Sequence, residues 1–484
     1  MRLWRKRSHH TEVPGNPTLL HLSSQPEDGF RLYDSFEGVQ VFGSSGSGKT
    51  SGSGAALARA YLSAGFGGLV LTNKVSDKAD WLNYLRQTGR EDDLLILSPE
   101  SDLRLNFLEY ERSRPGRGAG LTENLVNLFT VLMEASEKGS GRSSDRFFDR
   151  AVKRLLRNTF DLMMMADEPL SMRGISELVA SAPSDVKLLI DNGWLKKSFC
   201  YQLIERARHC KHPDFPVVVH YWLGQFPDED PRTQSNVLQT FFVMADMFNR
   251  GVLHQLFGTD LNITPDITQE GKILLIDLPI KEFSQVGRLA AVLAKYLWQQ
   301  ATERRDVTAS PRPQFLWCDE AQELLVSTDS QFQATARSSR TATVYLTQSI
   351  SAYYAQLGAA SEGKATVDAF LANLGTKIFH CNGDAETNDW AERLIAKDWQ
   401  YRANASVSSP NQSSDDKGKP QNNDPTVSSG VNPSLDANVL ASQFTKLRRG
   451  GPACANLVDA LVFQAGRVWL TTGKNYLPVT FSQA

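Results

Sequence analysis

The sequence has little that would mark a secreted, metal-binding or membrane-spanning chain. Its five cysteines (Cys200, Cys210, Cys318, Cys381 and Cys454) are scattered, with no C-x-x-C spacing among them. That excludes a disulfide framework and a thiolate zinc site, and it fits reduced thiols in a cytosolic protein. No apolar run reaches the roughly 18 residues that a transmembrane helix needs. The opening MRLWRKRSHH is basic but lacks the apolar segment of a secretory signal. An excess of one charge is also missing: 52 Lys and Arg face 54 Asp and Glu, a formal net charge of −2. Any surface for a polyanion must therefore be local. No internal repeat is visible, which excludes solenoids and propellers.

What is present is a chain of 484 residues, 41% apolar and 22% charged, the composition of a soluble globular protein. That length exceeds one ordinary core and implies two or three domains.

The most informative stretch is GSSGSGKT at residues 43–50, between the apolar VQVF and the helix-forming GAALARAYLSAG. It fits the phosphate-loop pattern G-x-x-x-x-G-K-[ST] in its required context, after a strand and before a helix. Glycines there let backbone N–H groups approach an anion, and the following helix points its positive end at the same place. Gly43, Ser44, Ser45, Gly46, Ser47, Gly48, Lys49, Thr50 and Ser51 are the expected nucleotide-binding residues. Lys49 reaches the β- and γ-phosphates, and the Thr50 hydroxyl sits on Mg²⁺. ATP and Mg²⁺ are the cofactors this implies. The Gly/Ser alternation continues through Gly54, which a flexible linker would also produce.

Along the chain, residues 1–30 read as a polar arm, and an α/β pattern occupies 31–118, with strands at 38–42, 68–74 and 93–98. Residues 119–265 are mainly helical in periodicity, apart from the β-branched FPVVVHYWL (215–223), and read as an inserted all-α domain. The α/β pattern returns over 266–484, with strands KILLIDLP, QFLWCDE, TATVYLTQS and TKIFHCN, and ACANLVDALVFQAGRVWLTTG alternates like edge strands. Strands alternating with helices imply a mainly parallel sheet. Residues 404–435, rich in Ser, Asn, Asp and Pro, read as a disordered loop.

FLWCDE (315–320) is an apolar strand ending in two carboxylates. Asp319 suits an Mg²⁺ ligand and Glu320 the base that orients the attacking water. Asp277, at the end of LLIDLP, is the rival acid. Gln348 closes the next strand, where it can sense the γ-phosphate. Arg337 and Arg340 are either surface charges or an arginine finger for a neighbouring subunit. Lys49 and Asp319 lie about 270 residues apart, which requires an insertion between them. That insertion carries a basic run, Arg142, Arg146, Arg150, Lys153, Arg154 and Arg157, diluted by Asp145 and Asp149; it is either a solvated helix face or a phosphate-contacting one.

The order of these motifs resembles the type IV secretion coupling proteins, the conjugative DNA-transfer ATPases of the FtsK/HerA group of RecA-like motors. The segments that carry the resemblance are GSSGSGKT, GGLVLTNK, SPESDLRLNFLEY, RFFDRAVKRLL, EGKILLIDLP, WCDEAQEL, ARSSRTATVYLTQS and KIFHCNGDAETNDWAERL. The resemblance implies a RecA-like P-loop NTPase core with an inserted all-α domain. It also implies a homo-oligomeric, usually hexameric ring that hydrolyses ATP between subunits and delivers single-stranded DNA with a relaxase, or another protein substrate, to a secretion channel. Carried over, Lys49, Thr50, Asp319, Glu320 and Gln348 form the site, with Arg337 or Arg340 acting in trans. Family members typically begin with membrane-spanning helices. Without them, a cytoplasmic chain held at the inner membrane by a separate partner is expected. The competing expectations are a soluble motor of the same superfamily in DNA processing, packaging or defence, and a non-motor, ATP-switched cargo receptor.

Overall fold

The computed structural model describes residues 15–137, 146–357, 361–408 and 426–483. The first strands, β1 (Thr18–His21) and β2 (Gly29–Arg31), pair antiparallel. The polar arm expected over 1–30 is thus structured from residue 15 onward. Phe30 is buried, and Asp28 accepts from the backbone N–H groups of Leu470 and Thr471 at 2.7 and 3.0 Å. Residues 1–14 lie outside the described part.

Seven short apolar runs follow as strands: β3 (Val39–Phe42), β4 (Gly67–Leu71), β5 (Leu94–Leu97), β6 (Ile273–Ile276), β7 (Gln314–Cys318), β8 (Thr341–Thr347) and β9 (Thr376–Phe379). They are apolar without alternation because helices cover both faces of the sheet they form. Leu69 and Leu71 enter one buried cluster while Val70 enters the other, as successive side chains must. After β9 come β10 (Lys397–Ser408), β11 (Thr426–Ala437), β12 (Leu457–Gln464) and β13 (Tyr476–Ser482).

The main sheet has nine strands in the order β13-β12-β9-β3-β8-β7-β4-β6-β5. Every pairing from β9 to β5 is parallel, and β12 and β13 close one edge antiparallel. Of the C-terminal stretch expected as edge strands, only β12 is a strand; its hairpin partner β13 begins three residues beyond that stretch. One strand, β8, separates the phosphate-loop strand β3 from the acidic strand β7, and all three direct their carboxyl ends to the same edge.

Between β5 and β6 the chain is helical, with the longest helices at Thr122–Glu137, Arg146–Met165 and Pro231–Asn249. FPVVVHYWL belongs to it. Phe215–His220 is an α-helical turn that continues into a π-turn at Tyr221–Gln225. Val218, Tyr221 and Trp222 are buried at helical spacing, and the Trp222 indole donates to the Asn158 carbonyl at 3.2 Å. Tertiary packing overrides the β-branched preference here.

The disordered loop expected over 404–435 is also corrected. Residues 404–408 and 426–435 lie in a two-stranded antiparallel ribbon in which β10 pairs with β11 from Lys397↔Ala437 to Ser408↔Thr426. Residues 409–425 lie outside the described part.

Candidate nucleotide site

The carboxyl end of β3 runs into the loop 43–49, and the helix after it starts as a single π-turn, Thr50–Gly54, before becoming regular over Ala55–Ser63. Gly46 and Gly48 have φ of +70° and +81°, which side chains rarely adopt. A Cβ on Gly48 would come within 2.6 Å of Val458 on β12, so this loop is packed against the edge of the sheet. Gly43 donates to the Thr347 carbonyl and Ser44 to that of Cys381, at 3.2 and 3.0 Å. These bonds tie the loop to the ends of β8 and β9. Ser45 through Ser51 line a cleft of about 460 Å³ with Lys74, Asp319, Glu320, Gln322 and Gln348. Gly43 and Ser44 lie behind it, in the strand-end network.

Opposite the loop, β7 delivers the acidic pair. The Thr50 hydroxyl donates to Asp319 at 3.2 Å, joining residues 269 positions apart in the chain. Lys49 Nζ lies 3.6 Å from Glu320 Oε1. Glu320 has the left-handed φ of +49°, a local cost of roughly 1–2 kcal/mol. Its N–H donates to Asp319 Oδ1 at 2.8 Å, and its carboxylate accepts from Gln322 and Gln348 at 2.9 and 3.2 Å. Gln322 in turn accepts from the Thr347 hydroxyl at 2.7 Å.

The two carboxyls differ electrostatically. Burial pushes Asp319 above the ordinary carboxylate range against the pull of Lys49 and Lys74. Burial acts on Glu320 in the same direction, but Lys49, Lys74 and the two glutamine donors outweigh it and hold Glu320 low. An ionised Glu320 can accept a hydrogen bond from a water, and a cation beside Asp319 would favour its carboxylate form against the effect of burial. The donor set suits Mg²⁺, because a hydroxyl and a carboxylate meet in a buried place and offer only oxygen. The loop suits a phosphate because the positive φ of Gly46 and Gly48 lets the backbone approach an anion beside Lys49, while the buried Ser47 hydroxyl, without a hydrogen-bond partner among the described residues, lies against Gly43.

The structure brings together Lys49, Thr50, Asp319, Glu320 and Gln348. It places Arg337 and Arg340 elsewhere, before the start of β8, about 20 Å along the strand from its Gln348 end. Arg337 pairs with Glu37 at 3.1 Å and Arg340 donates to the Pro311 carbonyl at 3.4 Å, so neither reaches this cleft within one chain. Asp277, the rival acid, pairs with Lys78 at 2.7 Å and does not line the cleft. In the basic run, Arg154 lies over the Tyr221 ring and Arg157 pairs with Glu123. Arg142 falls outside the described residues.

Sequence reasoning missed four contributors. Lys74 lies 4.0 Å from Asp319 and 3.7 Å from Glu320; its position after the apolar GLVLT was the available signal. Gln322, two residues past the base, had none. His380 follows β9 and stands behind the loop: its Nε2 is 2.7 Å from the Ser53 hydroxyl and its Nδ1 3.1 Å from the Asp459 carbonyl. A carbonyl can only accept, so Nδ1 carries the proton and Nε2 accepts from Ser53. Burial lowers this imidazole to about 4. Arg449 donates to the Ser45 carbonyl at 2.6 Å from the cleft's outer side.

No family model and no curated protein matches the sequence. Solved structures match its fold. The bacterial conjugative coupling protein TrwBdeltaN70, unbound, has a TM-score of 0.62 at 14% identity over 95% of this chain and 86% of that one. The plasmid coupling protein TrwB with ADP and Mg²⁺ has a TM-score of 0.59 at 14% identity, over 95% and 87%. TrwB with the GTP analogue GDPNP has a TM-score of 0.60 at 14% identity, over 97% and 90%. The resemblance read from the motif order thus has its counterpart in three dimensions: a RecA-like P-loop NTPase fold with an all-helical part, as in the conjugative coupling protein. No helix among the described residues is long and apolar enough to cross a membrane.

Proposed function

We propose that this chain is an ATP-hydrolysing motor of the conjugative coupling type, which recruits DNA or a nucleoprotein and drives it toward a type IV secretion channel. The observation that carries the reading is the meeting of Lys49, Thr50, Asp319, Glu320 and Gln348 in one cleft, from segments up to 299 residues apart (348 − 49).

In this reading the loop N–H groups and Lys49 hold the phosphates, and Thr50 with Asp319 hold Mg²⁺. The metal, when bound, neutralises charge that develops on the phosphate oxygens. Glu320 accepts a hydrogen bond from water and aims its oxygen at the γ-phosphorus. The new P–O bond forms as the bond to the β-phosphate oxygen breaks, yielding ADP and inorganic phosphate. Gln348, bonded to Glu320 at the end of β8, couples the presence of the γ-phosphate to that strand. Arg337 or Arg340, set away from its own cleft, acts on the cleft of a neighbouring subunit in a ring. The likeness in fold to TrwB, a bacterial conjugative coupling protein, supports the conjugative setting.

The test is steady-state ATP hydrolysis with and without single- and double-stranded DNA, beside Glu320→Gln. DNA should stimulate turnover, and the substitution should lower it by at least about 100-fold with ATP binding retained. Hydrolysis indifferent to DNA would reject the DNA motor. Turnover surviving in the variant would reject Glu320 as the base.

A further inference from the structure

Among the described residues, no further strand pairs with the ribbon β10–β11. Its residues 401–407 and 427–433 are exposed on both faces. Residues paired across antiparallel strands share a face, so the register sorts its side chains into two sets. One face holds Trp399 opposite Leu435, Tyr401 opposite Pro433, Ala403 opposite Val431, Ala405 opposite Ser429, and Val407 opposite Val427, with Ser429 its one polar side chain. The other is polar throughout, with Arg402 paired to Asp436 at 2.7 Å and Ser406 bonded to Ser428 at 2.6 Å. A two-stranded ribbon is at best marginally stable alone in water, so an apolar face of this length calls for cover.

Trp399 is 63% exposed and Tyr401 75%, and Val407, Val427, Val431 and Leu435 are more than half exposed. Together they present on the order of 600 Å² of apolar surface, the upper end for a monomer's largest patch and close to the ~800 Å² per partner of a stable pair. The face between Trp399 and Val407 carries no charged side chain, so it has nothing to pair with the phosphates of a nucleic acid or with an acidic peptide. The segment 409–425 that joins the strands includes Asp415, Asp416, Lys417, Lys419 and Asp424 and no large apolar residue. It can neither enter a bilayer nor cover the face with apolar side chains.

Size along the face is graded. Trp399, Leu435, Tyr401 and Pro433 stand at the root, Ala403 with Val431 and Ala405 with Ser429 in the middle, and Val407 and Val427 toward the tip. Two such faces laid together antiparallel set each root's bulk over the other's smaller residues, with the two bodies at opposite ends.

The geometry points to a second copy of this chain as the occupant: the apolar faces of two β10–β11 ribbons pack on one another about a two-fold axis near Ala403, making a four-stranded, two-layered contact. This inference does not depend on the nucleotide reading.

Sedimentation velocity of the full chain across protein concentration tests it, with two double variants of equal charge change. Tyr401→Glu with Val431→Glu places acid on the apolar face, and Asn404→Glu with Ser428→Glu places it on the polar one. The natural chain should self-associate; the first variant should weaken that at least about 10-fold and the second leave it alone, both keeping the natural thermal midpoint. Ala403→Cys should give, with a short bis-maleimide cross-linker that spans about 10 Å, a dimer bridged between the two copies of residue 403. A monomer at every concentration would overturn the inference, as would association insensitive to the first variant or a cross-link mapping elsewhere. Association that appears only after residues 1–14 are removed would mean that the chain's own N-terminus covers the face, and would also overturn it.

Discussion

Hydrogen bonds from neighbouring side chains position the carboxylate of Glu320 and the loop opposite it. Glu320 is fixed by Gln322 and Gln348, and Gln322 by Thr347. His380 supports the loop by accepting from Ser53, one turn along the helix from Lys49. Because burial holds this imidazole at about 4, against 6.5 for a free one, the folded protein refuses a proton that the unfolded chain accepts. The sign follows: the contribution is complete above pH 6.5, falls as pH drops through 6.5 toward 4, and amounts to about 3 kcal/mol over that window. Denaturant unfolding from pH 8 to 4 should show it. His380→Asn should be less stable at pH 8 and lose less stability than the natural chain between pH 6.5 and 4; parallel curves would remove His380 from this role.

At the scale of elements, the glycine-rich loop is braced by β12, the strand next to the sheet's edge, which sequence reading treats only as closure of the domain. Val458 of β12 fills the space over Gly48. Gly48→Ala should therefore weaken nucleotide binding by about 10-fold or more, from left-handed strain of roughly 1–2 kcal/mol plus the collision. Adding Val458→Ala should restore part of the loss, since it relieves the collision and leaves the strain. No restoration, by titration of a fluorescent ATP analogue, would show that the brace is immaterial. The same element shows why some of the site was legible and some was not. The loop and its flanks form one contiguous stretch, and the acidic pair ends an apolar strand, so each carries its own local signal. Val458, Asp459 and His380 reach the loop only through the pairing of β12 with β9, and nothing in their identity announces that register. In β10, WQYRANASVS alternates apolar and polar as a strand should, yet the Ser/Asn/Asp content outweighed that alternation.

For the whole molecule, chain order suggests an insertion, but the packing draws no boundary around it. Phe129, Phe160 and Phe241 of the helical segment belong to one continuous buried cluster with Phe42, Leu71, Leu97 and Ile276 of the sheet. A polar tie adds to it: Ser327 bonds Glu134 through both N–H and hydroxyl at 2.8 and 2.7 Å. Segments that share a core unfold together, so differential scanning calorimetry should give a single transition with calorimetric and van't Hoff enthalpies in agreement. A nucleotide that binds only the folded chain stabilises it by RT ln(1 + [L]/Kd), about 2.7 kcal/mol at 100-fold excess over Kd. With ATP and Mg²⁺ the entire peak should then move up, carrying along a helical segment whose residues line no part of the cleft. Two resolved peaks, of which only one responds to nucleotide, would show that the helices melt as a separate unit. A single peak that shifts would mean that the helices and the sheet unfold as one cooperative unit, which nucleotide bound at the cleft stabilises as a whole.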